Sequence, residues 1–133
     1  MKYMLMMQFK VGGWKTGNIG TWPPEDVQAN IDFLRRFHAD LDEAGELVAH
    51  QGLGGPETIR VVQAAKNAEP AITDGPFPES KEFLAGFWIV DVDTPARAWE
   101  IAARLSSLPG RGGGPANVPI EVRPLMADKG ADV

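Results

Sequence analysis

The chain contains no cysteine, which excludes a disulfide framework, a thiolate nucleophile and every zinc site built on cysteine sulfur. Positive charge is also short. Thirteen lysines and arginines face 18 aspartates and glutamates, leaving a formal net charge of −5 and a pI near 5.0. No broad basic surface exists to displace counterions from a phosphate backbone, so nucleic acid is not an expected partner. Long hydrophobic runs are missing as well: the longest, Phe83 to Val90, is far below the roughly 20 residues of a membrane-spanning helix. The N-terminus carries no basic, apolar and cleavage-site series, and the expectation is a cytoplasmic protein without a membrane partner. What remains, 133 residues with 44% apolar content, suits one globular domain over 1–125 followed by a flexible tail over 126–133.

Lys2 to Lys10 alternates Tyr3, Leu5, Met7 and Phe9 with Met4, Met6 and Gln8. This period of two with apolar groups on both faces predicts an interior strand. Val11 to Trp22 carries four glycines and two tryptophans without periodicity and reads as a loop, either a lid or an edge cover. Pro23, Pro24, Glu25 and Asp26 suit a first helical turn, where a missing N–H costs little and the dipole favours acids. Val27, Ile31, Leu34, Phe37 or His38, and Leu41 then form an inward stripe, with Asp32, Arg35, Arg36, Asp40 and Glu43 in water and Gly45 as the stop. Leu47 to Leu53 is extended, Gly54-Gly55-Pro56 turns it, and Ile59, Val61 and Val62 make a β-branched run, so a hairpin is the simplest reading. Lys66 to Glu69 forms another polar turn. Ala71 to Thr73 starts a strand that Asp74-Gly75-Pro76 interrupts before a central strand at Phe83 to Val90. Thr94 before Pro95 signals a helix N-cap, with Ala98, Trp99, Ala102 and Leu105 inward and an end near Leu108-Pro109-Gly110. Gly110 to Gly114 reads as a flexible connector. Val118, Ile120 and Val122 form a closing strand, which Pro119 places at an edge.

The resulting order, β-α-β-β-(β)-β-α-β, is that of an α+β, ferredoxin-like βαββαβ fold with an extra hairpin and both helices on one face. Strands apolar on both faces then leave one side of the sheet uncovered. A second copy, packed sheet against sheet as an isologous homodimer, is the economical cover; the alternative is an internal cover by Val11 to Trp22.

Asp74 has two readings: it caps a turn that Gly75 and Pro76 impose, or it is a general base whose pKa is raised beside Phe77 and Trp88. Lys81 and Glu82, near Glu79, form either a solvated face or an anchor for a polar ligand. His50, on an extended segment, is a half-buried strand residue or an acid-base partner of Asp74 with a near-neutral pKa. Trp14 and Trp22 are packing residues or an aromatic cover for an apolar ligand. Two histidines twelve positions apart give no metal-ligand spacing, and neither glycine cluster has the strand-to-helix setting of a phosphate loop. No metal and no cofactor are expected. These residues point to proton transfer on an unknown small-molecule ligand, as in a lyase or isomerase, with a non-catalytic binding or interaction module as the rival class.

The stretch Asp74-Gly75-Pro76-Phe77-Pro78-Glu79-Ser80-Lys81-Glu82, followed by Leu84 to Asp93, resembles the YCII-related proteins that carry a DGPF motif. Ala44 to Val48, Gly52-Leu53 and Ile120 to Pro124 are similar to the same family in the same order. The resemblance implies a ferredoxin-like subunit assembled as a dimeric α+β barrel. For some members it implies a His and Asp acid-base pair or lactone processing, and for others a link to sigma-factor-dependent transcription. The chain departs from the family pattern at His50-Gln51-Gly52-Leu53, where many relatives read Gly-Glu-Gly-Leu, and so lacks that carboxylate. His38 also lies nearer Gly45 than the family spacing places its first-helix histidine.

Overall fold

A computed structural model describes residues 1–127. Four segments with strong two-residue alternation or β-branched content become strands of one sheet: β1 (Lys2–Lys10), β2 (Leu47–Gly52), β5 (Glu82–Asp91) and β6 (Ile120–Pro124). Their order is β2-β5-β1-β6, and each pairing is antiparallel. As its alternation predicts, β1 is interior, while β6, preceded by Pro119, is an edge. Directly opposed residues share a face, so the pairs Tyr3–Val90, Leu5–Trp88 and Met7–Gly86 project to one side. Helices α2 (Pro24–Glu43) and α3 (Pro95–Ser106) close that side. Leu5, Trp88 and Val90 form one buried cluster with Phe37 and Leu41 of α2 and with Ala98, Ile101, Ala102 and Leu105 of α3. The fold is thus α+β with a ferredoxin-like arrangement.

Capping explains the ends of both long helices. Pro24, Glu25 and Asp26 occupy the first turn of α2, and Gly45 follows its end at φ 72°, a conformation that favours glycine. Thr94 Oγ1 accepts from the Arg97 N–H at the start of α3. Trp99, expected inward, is 61% exposed. The buried stripe runs Ala98, Ile101, Ala102 and Leu105, and Trp99 sits about 100° around the helix from Ala98.

Three other expectations are corrected. The segment Val11 to Trp22 is not an open loop: Val11–Gly17 forms a short helix, α1, and Ile19–Thr21 a 3₁₀ turn. Each glycine disfavours helix by about 1 kcal/mol, but tertiary anchors override that. The Val11 and Gly12 N–H groups donate to Lys81 and Glu79 carbonyls, and Trp14 packs on Phe9 and Phe83 with ring centroids 5.8 and 5.3 Å away. The hairpin is also placed differently. β2 pairs with β5, whereas the chain leaves the sheet through a 3₁₀ turn at Pro56–Thr58. β3 (Val61–Ala65) and β4 (Ala68–Thr73) then pair only with each other in a separate two-stranded sheet, turning where Asn67 takes φ 58°. The connector Gly110 to Gly114 is tied down rather than free: Gly110 N–H donates to Gly114, Gly112 N–H to Asp26 Oδ2 at 2.8 Å, and Asn30 Nδ2 to the Pro109 carbonyl at 2.9 Å.

Met4, Met6, Leu84, Phe87 and Ile89 stand on the sheet face away from the helices and are half-buried. Among the described residues no helix is long and apolar enough to cross a membrane. Of the tail expected over 126–133, residues 128–133 lie outside the described residues; Met126 is exposed.

Candidate functional site

Helix α2 carries two neighbouring inward stripes. Phe37 and Leu41 fill the core, while Asn30, Leu34 and His38, spaced by four, line a cavity of about 410 Å³. The cavity lies between α2, the helix-facing side of β1, β2 and β5, and the α1 segment with its following turn. Met7, Trp14, Trp22, Trp88, Leu108 and Val118 make most of its wall apolar, and its volume falls in the range of small-molecule sites.

One end of this cavity holds both histidines of the chain. β2 places His50 opposite Trp88 of β5, and α2 lowers His38 onto both. The two imidazoles stack with centroids 3.8 Å apart and planes 17° from parallel. The Trp88 indole N–H donates to His38 Nε2 at 2.8 Å, while Phe37 meets the other aspect of Trp88 edge-on at 6.4 Å. Burial is the main cause that lowers the His38 pKa, and the neighbouring charge of His50 lowers it further. His38 is therefore neutral at neutral pH. Because its Nε2 lone pair is occupied by the indole, the proton of the neutral ring sits on Nδ1, which makes His38 a donor and not a free base. His50 is exposed, and among the described residues its ring makes no hydrogen bond.

Among the described residues no carboxylate lines the cavity, and no group of three or more His, Cys, Asp and Glu side chains is placed to hold a metal ion. Polar groups at the wall are the two imidazoles, Asn30, Gln51 and Lys10. Asn30 is only 7% exposed.

The residues singled out from the sequence are divided between two places. His50, Trp88 and Trp14 line the cavity. Asp74 and Phe77 line a separate, more open hollow of about 680 Å³ with Val11, Lys15, Asn18 and Glu57, and Trp14 forms part of both walls. Asp74 is exposed there. Lys81 holds its ammonium 5.1 Å from the Phe77 ring centroid in a cation–π contact. Glu82 begins β5 opposite Lys10. Sequence reasoning did not select His38 or Asn30 as site residues. Their signal was the four-residue spacing through Leu34, an inward helical stripe with a polar group at each end.

Residues 1–120 match the YCII-related domain family. An uncharacterized protein of Rhizobium meliloti (strain 1021) is 31% identical over 108 residues, which cover 81% of this chain and 82% of the relative. With the family match spanning α2, α3 and strands β1, β2 and β5 of the main sheet and reaching the first residue of β6, the chain belongs to the YCII-related family.

Proposed function

We propose that the cavity under α2 binds a small, predominantly apolar organic molecule and that His50 moves a proton on it without a cofactor. The stacked His38–His50 pair at the cavity wall carries this reading. His50 takes a proton from an acidic C–H of the substrate, and the neutral Nδ1–H of His38 donates to the oxygen on which negative charge develops. The low pKa of His38 helps here, because a neutral donor does not compete for the proton that His50 accepts. Returning the proton to a different atom would complete an isomerisation, and loss of a leaving group would make it a lyase.

A probe with an acidic C–H tests this directly. In D₂O at pD 7.5, 2-indanone should exchange its α-protons faster with the protein than with an equal concentration of free imidazole, as followed by proton NMR. His50→Gln should return exchange to background, a fall of roughly 100-fold or more. Asp74→Asn, in the other hollow, should leave it within about twofold. Exchange no faster than imidazole, or a full rate in His50→Gln, defeats the proton-transfer reading. The second reading is a non-catalytic ligand-binding module, with a regulatory role as one form. It is favoured by the absence, among the described residues, of a carboxylate lining the cavity to orient either imidazole.

The assembly proposed with this function is a homodimer in which the face bearing Met4, Met6, Phe87 and Ile89 is covered by a second copy. Support comes from the contiguity of these apolar side chains on neighbouring β1 and β5, a patch that water would otherwise solvate.

A further inference from the structure

The polar end of the cavity opposite the histidines holds one buried amide. Asn30 Nδ2 donates to the Pro109 carbonyl at 2.9 Å, which fixes the orientation of the group, and among the described residues its Oδ1 accepts no hydrogen bond. Asn30 as a residue is only 7% exposed, and it lines the cavity beside Leu108, Pro109 and Val118. A buried carbonyl oxygen without a donor is costly, and the neighbouring wall is apolar. The neighbouring tryptophan indole cannot relieve it, because Trp22 Nε1 already donates to Gly17. Asn30 and His38 are eight residues apart on one helix, about 12 Å along its axis, and Leu34 lies between them.

From this geometry we infer that Asn30 Oδ1 is a ligand subsite, and that the cavity takes an uncharged, elongated, mainly hydrocarbon molecule with a hydroxyl or N–H donor at the Asn30 end. The inference rests on the cavity being the ligand site, and adds the class of molecule that fits it. An acceptor oxygen repels a carboxylate, and only one of the two amide N–H groups, the one not given to Pro109, is left to offset that repulsion. The reacting part of the molecule then lies toward His38 and His50, so Asn30 sets orientation and takes no proton.

Three probes of one skeleton test the inference at pH 7.5 by quenching of tryptophan fluorescence: 4-phenylphenol, biphenyl and 4-phenylbenzoate. The expected order is phenol tightest, biphenyl about tenfold weaker, and the benzoate weaker still. In Asn30→Leu the phenol should bind no better than biphenyl; if that variant fails to fold, the order in the wild-type protein still decides. Equal affinity for phenol and biphenyl overturns the Asn30 subsite while leaving the cavity a ligand site. Tightest binding of the benzoate also overturns it, because the cavity would then select an anion. Saturable binding of none of the three overturns both the subsite and the cavity reading on which it rests.

Discussion

Trp88 joins the core to the histidine pair, and shortening it to phenylalanine separates two effects that a purely structural tryptophan would not produce together. Trp88→Phe removes the indole N–H that His38 Nε2 accepts at 2.8 Å, a net loss of about 1 kcal/mol for a partly buried hydrogen bond. The smaller ring leaves space beside Phe37 and Leu5 that costs about another 1 kcal/mol. At about 2 cal/mol/K per residue, the unfolding entropy of this chain places the resulting drop in Tm near 7 °C. The diagnostic change is in the imidazole. A donor on Nε2 stabilises the neutral ring, so its removal raises the His38 pKa, and water entering the vacated space raises it further by relieving the burial that chiefly depresses it. In the wild type the folded pKa lies below 6.5. The stability that His38 contributes is therefore full above pH 6.5 and is lost as pH falls through the folded value, since the unfolded chain binds more protons in that window. Trp88→Phe should narrow the window from its acid side. With only two histidines in the sequence, an NMR titration of their Cε1 protons reads both pKa values. A lower Tm with an unchanged or lower His38 pKa would refute the assigned role of the indole.

For the proposed homodimer, the wild type should scatter as twice the 14.4 kDa chain mass, and Met6→Asp should give a single chain or unfold it, as read by light scattering after size exclusion, because a carboxylate buried without a partner costs several kcal/mol; a wild-type monomer would remove the dimer altogether. Glu46→Gln should cost about 1 kcal/mol in urea unfolding at pH 7, since Glu46 accepts from Arg97 Nε and Nη2, both at 2.8 Å, while the arginine side chain is 42% exposed to screening solvent. The Arg97 hydrogen bonds hold the Glu46 pKa below its usual 4.5, so the contribution is present above that pH and lost as pH falls through the folded value. The Gln variant should lack that part of the acid-side slope, and an unchanged slope would show that the pair does not stabilise the fold.

Most of the fold is legible in the sequence because the main sheet and two long helices are specified by local patterns that agree with their packing. Alternation in β1, the Pro-Glu-Asp start of α2, and Thr94 before Pro95 each have one physical solution. The Val11 to Trp22 segment was illegible for the opposite reason: its local preference points away from helix, and the contacts that create α1 come from Phe83 and from the Glu79 and Lys81 carbonyls, nearly 70 residues away. The partner of β2 was equally hidden. Its nearest neighbour in sequence is β3, but the 3₁₀ turn at Pro56–Thr58 carries the chain off the sheet, and β5 takes the position.

The site shows the same limit at finer scale. His50 was visible as a titratable strand residue, yet its relation to His38 depends on two neighbouring stripes of α2 dividing their tasks. A one-residue step around a helix is about 100°. Phe37 therefore turns into the core while His38, next in sequence, turns to the cavity, and Trp88 touches both, edge-on to Phe37 and hydrogen-bonded to His38. This contact makes the position of the imidazole depend on core packing. A change at Phe37 that shifts Trp88 would move the donor from His38 Nε2 without touching the cavity lining. Conversely, His50 stacks 3.8 Å away, and its charge opposes protonation of His38 and lowers the His38 pKa. The core thus helps to hold His38 neutral, because the ring bound by Trp88 is also the one whose pKa burial lowers, while His50 stands exposed beside it.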